Sequence, residues 1–316
     1  MNSLKYPPSM DSQTRVFVDT TSSFYPDDRE DFTIGEMRDN YDALCAHFAR
    51  PFPAGVTAHD RLIGDVPLRH YSISDNPPAR LVYIHGGGFV VGGLDSHDDI
   101  CAGICADTGF DVIAVDYRLA PEHKHPAALD DCVAAVDAIH AEGDTPVVVA
   151  GDSAGGWLAA MTGLARPSII TGQVLIYPML GGALNKGSYV DCADVPLLST
   201  EQVAFYWETY FDCPLDRTAL TPPMVLDVSP SPRTVMIAAE CDPLMSDTPD
   251  YAEKLSAAGV EVEFTIEEGL PHGYLRARYS VERARQSFTR ITDAVSRMAG
   301  VAGAALYQRI IASISR

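Results

Sequence analysis

Positive charge is scarce in this chain of 316 residues. It has 23 lysines and arginines against 43 aspartates and glutamates, a net charge of −20, and only four of the basic residues are lysines. A surface this acidic repels the phosphates of nucleic acids and of anionic lipids. We therefore expect neither nucleic acid nor a membrane surface as a partner, and a carboxylate product would leave readily.

Long apolar runs and organised cysteines are also missing. No run approaches the roughly 18 residues of a membrane span, and the first eight residues lack the basic and apolar segments of a secretory signal. The seven cysteines are scattered, and only Cys101 and Cys105 lie close together, with no histidine beside them. These absences predict a cytoplasmic protein with free thiols and without a metal.

Apolar runs alternate with helical patterns, which is typical of a mainly parallel sheet covered by helices, an α/β fold. We predict strands at 66–73, 80–85, 111–116, 146–150, 173–177, 234–239 and 260–266. Helices are predicted from Thr33, with Glu36 completing a capping box, and at 96–107, 126–141, 248–258 and 280–298. The polar, proline-rich residues 1 to about 30 are expected to be loosely ordered.

The alternation divides the chain. Residues 61–180 and 233–300 form the predicted core, and residues 1–60 an N-terminal cap or arm. Residues 181–232 contain no convincing strand of the parallel sheet, so they are predicted to be a cap insertion, with a helix that begins at Ser199. The tail, residues 301–316, is predicted to be a helix that packs on the core or on a second subunit, as in a homodimer.

The segment Gly-Asp-Ser-Ala-Gly-Gly, residues 151–156, is the most informative motif. It follows an apolar, β-branched run and precedes a predicted helix. A strand, a sharp turn with a central serine and a helix together make a nucleophile elbow. Ser153 is thus the candidate nucleophile, and the alternative is that it is only a turn residue. A second motif, His-Gly-Gly-Gly-Phe at 85–89, also follows a predicted strand.

A serine hydroxyl needs a base, and the base needs an orienting acid. Asp242 follows the strand predicted at 234–239, and His272 follows the next predicted strand. The order Ser153, Asp242, His272 is that of α/β-hydrolases. Asp247 competes with Asp242, although we interpret Asp247 as a helix N-cap. His272 could instead be a structural loop histidine.

Six motifs resemble those of the hormone-sensitive lipase family of esterases, the bacterial family IV. They are HGGGF at 85–89, DYRLAPE at 116–122, GDSAGG at 151–156, YP at 177–178, DPL at 242–244 and PHG at 271–273. The likeness runs from about residue 60 to residue 298. It implies an α/β-hydrolase fold, with a mostly parallel eight-stranded sheet flanked by helices and a helical cap. It also implies hydrolysis of carboxylic esters without a cofactor.

The resemblance further assigns roles in the site. It makes Ser153 the nucleophile, His272 the base and Asp242 its partner, and it implies that the amides of Gly86, Gly87 and Ala154 bind the oxyanion. Small-molecule esters with short acyl chains are the expected substrates, because aromatic residues suggest an enclosed pocket. The candidate pocket residues are Phe89, Trp157, Tyr177, Tyr206 and Tyr210.

Two other functions stay open at this point. The same triad hydrolyses activated amides, such as aryl- or formyl-amides, and the sequence does not distinguish them from esters. The fold also serves ligand receptors without catalysis. Those typically lack the histidine, so His272 argues against that alternative.

Overall fold

A twisted eight-stranded sheet forms the centre of the computed structural model, which describes residues 6–25, 32–212 and 223–300. The strand order is β1-β2-β4-β3-β5-β6-β7-β8, and β2 alone runs antiparallel to the other strands. The strands are β1 Thr57–Ile63, β2 Val66–Ser72, β3 Arg80–Ile84, β4 Asp111–Val115, β5 Val147–Asp152, β6 Ile170–Ile176, β7 Thr234–Cys241 and β8 Val262–Pro271. The α/β-hydrolase fold predicted from the sequence is confirmed.

Helices cover both faces of the sheet. The α-helices of the described part are α1 Ser12–Ser22, α2 Ile34–Phe48, α3 Asp98–Thr108, α4 Ala127–Ala141, α5 Ala154–Ala165, α6 Ser188–Asp191, α7 Thr200–Phe211, α8 Asp247–Ala257 and α9 Glu282–Met298. Two 3-10 segments, Asp95–His97 and Tyr274–Tyr279, complete them. One apolar cluster packs α4, α5 and α8 on one face, and a second packs α3 and α9 on the other. No helix of the described residues is both long and apolar enough to cross a bilayer.

The central strands are rich in β-branched residues. They are buried because helices lie on both sides of them. β4 and β5 have no exposed residue, which is why continuous apolar runs predicted them. β1 was not predicted. It is an edge strand whose side chains are mostly exposed, so its sequence, Thr-Ala-His-Asp-Arg-Leu-Ile, lacks the apolar pattern of a core strand.

The expectation that the first 30 residues are loosely ordered is wrong for α1. Asp11 caps this helix by accepting a hydrogen bond from the amide of Thr14 (2.8 Å). Phe17 and Val18 are buried, and the Phe17 ring packs on Phe48 of α2 at 5.2 Å between centroids. Tertiary burial of two apolar residues thus holds a helix that is otherwise polar.

The helix starts predicted at Thr33 and Ser199 are present. Thr33 and Glu36 form the expected capping box of α2, and Ser199 caps α7 with Gln202 as its reciprocal partner. Residues 181–212 contain no strand. Two predictions fall outside the described residues. They are residues 213–222 of the predicted cap insertion and the tail helix predicted at 301–316.

Candidate active site

Ser153 lies on a sharp turn between β5 and α5. Its backbone is in a strained conformation, with φ 57° and ψ −122°, which few non-glycine residues adopt. The turn is tight because α5 starts against the end of β3. A β-carbon on Gly155 would lie 2.1 Å from the carbonyl oxygen of Ile84, so only glycine fits there. Strand, turn and helix together present the Ser153 side chain at the carboxyl edge of the sheet.

Three side chains from separate loops meet in one hydrogen-bonded line. His272 Nε2 is 2.9 Å from Ser153 Oγ, and His272 Nδ1 is 2.6 Å from Asp242 Oδ2. Asp242 is fully buried, and its Oδ1 accepts the amide of Leu244 at 2.9 Å. With the ring proton on Nδ1, His272 donates to the carboxylate and accepts from the serine hydroxyl.

Asp247, the competing acid, lies elsewhere and is not an N-cap. It is the first residue of α8, and Ser246 occupies the cap position. Its buried carboxylate accepts the amides of Leu180 (2.7 Å) and Gly181 (3.1 Å), in the segment that follows β6. Burial raises the pKa of Asp247 to about 7, although these hydrogen bonds oppose the shift. Asp247 therefore holds the segment that follows β6 against the start of α8.

Residues 85–88, which we call the glycine loop, differ from one prediction, that the amide of Gly86 binds the oxyanion. The amide of Gly86 donates to Asp152 Oδ1 at 3.0 Å, so it is not available to an oxyanion. Gly87 and Gly88 line the cavity over Ser153. Within the described part of the chain, the amides of Gly87, Gly88 and Ala154 have no hydrogen-bond acceptor. The unbonded amides of the glycine loop are thus those of Gly87 and Gly88, one residue beyond the predicted pair Gly86 and Gly87.

Asp152 was not predicted, although it directly precedes Ser153. It is buried under the elbow, where Tyr83 Oη donates to Oδ1 at 2.9 Å and His97 Nε2 lies 3.3 Å from Oδ2. Burial alone would raise its pKa, but His97, the charge of Arg276 and the Tyr83 hydroxyl hold that pKa well below its ordinary value. An ionised Asp152 thus ties the glycine loop to the elbow.

His85 shapes the glycine loop. Its ring stacks on Tyr117 at 4.3 Å between centroids, and Nδ1 lies 2.7 Å from the Gly86 carbonyl oxygen. Burial, together with the neighbouring His97, lowers the pKa of His85 to about 3. His85 is neutral at ordinary pH, so its ring packs and bonds without carrying charge.

A cavity of about 490 Å³ lies over Ser153 and His272. Of the five predicted pocket residues, Tyr206 alone lines it, and its ring packs on Gly88, where a β-carbon would be 2.2 Å from Cδ1. The other four are buried behind the wall, because they pack on one another or under His272. Phe89 stacks on Tyr210 and contacts Trp157 edge-on, while Tyr177 lies 4.9 Å from the His272 ring.

The remaining wall comes from residues that sequence reasoning missed. α1 contributes Phe17, α2 contributes Tyr41 and Leu44, and the 3-10 segment after His272 contributes Arg276. Their distance from Ser153 along the chain left no local signal. Among the described residues, no group of three or more histidine, cysteine, aspartate or glutamate side chains is arranged to hold a metal ion.

Comparison with known proteins agrees with this fold. Residues 81–276 match a family described as having the alpha/beta hydrolase fold. The chain is 34% identical over 250 residues to ethyl acetate hydrolase of Pseudomonas putida, covering 73% of this chain and 78% of that protein. It is 38% identical over 253 residues to carboxylesterase NlhH of Mycobacterium tuberculosis, covering 74% and 78%.

A solved structure extends the agreement to the whole fold. The hyperthermophilic esterase from the archaeon Pyrobaculum calidifontis superposes with a TM-score of 0.83 at 29% identity, covering 92% of this chain and 99% of that one. The six sequence motifs, the sheet order and these matches lead to one conclusion. The chain belongs to the hormone-sensitive lipase family of α/β hydrolases.

Proposed function

We propose that this enzyme is a carboxylesterase that hydrolyses short-chain carboxylic esters through an acyl-enzyme on Ser153. The observation that carries the proposal is the hydrogen-bonded line Asp242–His272–Ser153, with distances of 2.6 and 2.9 Å, on the floor of the cavity. Esterase names among the relatives support the reaction class.

The first half-reaction transfers the acyl group to the enzyme. Ser153 Oγ attacks the ester carbonyl carbon while its proton passes to His272 Nε2. The carbonyl oxygen becomes an oxyanion, and His272 then gives the proton to the departing alkoxide, which leaves as the alcohol. Asp242 stays ionised and stabilises the imidazolium through Nδ1.

The second half-reaction releases the acid. A water molecule gives a proton to His272 Nε2 and attacks the acyl carbon, and the proton then returns to Ser153 Oγ as the acid leaves. We assign the oxyanion to the amides of Gly87, Gly88 and Ala154. Each such donor is typically worth about 3 kcal/mol in the transition state, because it is already oriented when charge develops.

The wall of the cavity supports the preference for short acyl chains. Tyr206 lies directly on the glycine loop, and Leu198 and Val203 of the cap region close the same side. A cavity enclosed by the N-terminal helices and by α7 favours a small ester over an extended lipid surface.

The proposal is tested by hydrolysis of p-nitrophenyl esters with acetyl, butyryl, octanoyl and dodecanoyl groups. We expect turnover of the acetyl and butyryl esters, a sharp fall at octanoyl, and loss of turnover in Ser153→Ala. An inert native protein would overturn the proposal and favour a ligand receptor. A Ser153→Ala variant with native turnover would overturn the role of Ser153. Turnover of matched p-nitroanilides in place of the esters would favour amides.

A further inference from the structure

Arg276 is a buried guanidinium on the wall of the candidate active site. It belongs to the 3-10 segment that follows His272, and only 9% of the residue is exposed. A β-carbon on Gly273, next to His272, would lie 3.6 Å from Arg276 Nη1. The guanidinium thus lies beside the backbone that carries the proposed base.

The bonds of Arg276 leave part of its guanidinium open to the cavity. Nε donates to Cys45 Sγ at 3.4 Å, Nη2 donates to the Tyr41 hydroxyl, and the Tyr41 ring lies 4.9 Å from the guanidinium carbon. Among the described residues Nη1 has no hydrogen-bond acceptor, and Arg276 lines the cavity over Ser153. The N–H groups of Nη1 are therefore the part of Arg276 left to bond a molecule in that cavity.

No carboxylate among the described residues forms an ion pair with Arg276. Arg278, two residues on and also buried, differs because it pairs with Asp99. A buried charge without a contacting counter-ion is costly, since desolvation is not offset by a hydrogen-bonded partner. A ligand that brings the missing anion would recover that cost.

The other carboxylates on the wall do not fill this role. Asp152 acts on Arg276 from a distance, but its oxygens are engaged with Gly86, Tyr83 and His97. Asp194 lines the same cavity but is exposed in the cap region. Arg276 is therefore the wall's one cation with a hydrogen-bonding nitrogen to spare, within the residues that the structure describes.

We propose that Arg276 selects esters that carry a carboxylate a few bonds from the scissile carbonyl, by donating from Nη1 to that carboxylate. This inference rests on the proposed esterase function and names the substrate class of the same site. The carboxylate belongs either to the acyl part, as in a half-ester of a dicarboxylic acid, or to the alcohol part, as in an acylated hydroxy acid.

Four ethyl or acetyl esters of similar size make the test. Monoethyl succinate has the carboxylate on the acyl side, and 4-acetoxybutanoate has it on the alcohol side. Ethyl succinamate is a neutral hydrogen-bond acceptor, and ethyl pentanoate is apolar. Because the net charge of −20 repels anions at long range, the assays are run in about 0.2 M salt, which screens charges beyond roughly 7 Å.

We expect the native enzyme to have a lower KM for at least one carboxylated ester than for ethyl succinamate. In Arg276→Met, kcat/KM for that ester should fall about tenfold to a hundredfold more than for ethyl pentanoate, mostly through KM, as for loss of a charge-assisted hydrogen bond. Arg276→Lys should retain most of the preference. Arg278→Met, the matched control, should change all four substrates by the same factor.

The outcomes separate the two proposals. No hydrolysis of any ester by the native protein would overturn the esterase function. Hydrolysis of ethyl pentanoate with no preference for either carboxylated ester would overturn the role of Arg276 and leave the esterase function standing. An equal effect of Arg276→Met on all four substrates would make Arg276 a structural residue. If Arg276→Met does not fold, the role of Arg276 is decided by whether the native enzyme has a lower KM for a carboxylated ester than for ethyl succinamate.

Discussion

The floor and the wall of the cavity are built differently. The floor is made by strand ends, where buried carboxylates hold the proposed reacting groups: Asp242 bonds to His272, and Asp152 ties Gly86 to the elbow. The wall is made by helices from distant parts of the sequence, which contact the floor through side-chain packing, such as Tyr206 on Gly88. The difference suggests that the floor determines whether the reaction occurs and the wall determines which ester reacts.

The largest expected effect is at the floor. Asp242→Asn keeps the size of the side chain but removes the charge that fixes the His272 tautomer, so kcat should fall by about 10⁴-fold. Asp247→Asn is the matched control, since Asp247 binds the amides of residues 180 and 181 and should leave kcat within about twofold. Steady-state assays with p-nitrophenyl butyrate measure kcat for both variants. An equal loss of kcat in the two variants would contradict the assignment of Asp242.

A second test acts on the backbone of the floor. Gly87 has φ 124°, and a β-carbon there would lie 2.1 Å from the Val91 carbonyl oxygen. Gly87→Ala should therefore displace the proposed oxyanion donors and lower kcat by about a hundredfold or more. Gly109→Ala is the control, because Gly109 has φ 71° and nothing within 4 Å of the added carbon. Its activity should be native although its melting temperature falls; native kcat in Gly87→Ala would refute the proposed donors.

A change to the wall should alter selectivity more than rate. Tyr206→Ala removes a ring that packs on the glycine loop, so the cavity lengthens, and turnover of the octanoyl ester should rise severalfold relative to the acetyl ester. The neighbouring Phe205 is 42% exposed on α7, so Phe205→Ala should leave the ratio unchanged. An unchanged acyl-length profile in Tyr206→Ala would place the chain-length limit elsewhere.

The smallest effect on activity is expected at Asp247, which lies outside the lining of the cavity. Its folded pKa of about 7 exceeds the ordinary aspartate value of about 3.9. The folded protein thus keeps a proton that the unfolded chain releases, and the free energy of unfolding falls as pH rises from about 4 to 7. The slope is at most about 1.4 kcal/mol per pH unit. Urea denaturation at pH 5 and pH 8 should show a smaller loss in Asp247→Asn than in the native protein; equal losses would contradict a protonated Asp247.

The contrast between floor and wall also explains what the sequence could predict. Elbow and loop motifs are local: Ser153, Asp242 and His272 each directly follow a strand, so strand patterns alone placed them at one edge of the sheet. The wall depends on contacts between distant segments. Phe17 and Arg276 are 259 positions apart, and nothing near either residue indicates that they share a cavity.

One prediction in the floor was wrong for a related reason. The sequence does not distinguish Gly86 from Gly88 as an oxyanion donor. Only the position of the Asp152 carboxylate shows which amide is already bonded. The prediction that Phe89, Trp157 and Tyr210 line the pocket was wrong, because their rings pack on one another in a buried cluster. Size and apolarity predicted their burial without predicting which side of the wall they occupy.

The most direct test of the central claim is covalent labelling of the native protein with diethyl p-nitrophenyl phosphate, followed by peptide mass spectrometry. An activated hydroxyl on the floor predicts one diethylphosphoryl group per chain, on the peptide that contains Ser153, with one equivalent of p-nitrophenol released and all esterase activity lost. An unlabelled Ser153 in a protein that still hydrolyses p-nitrophenyl butyrate, or inactivation by a label on another residue, would contradict the account.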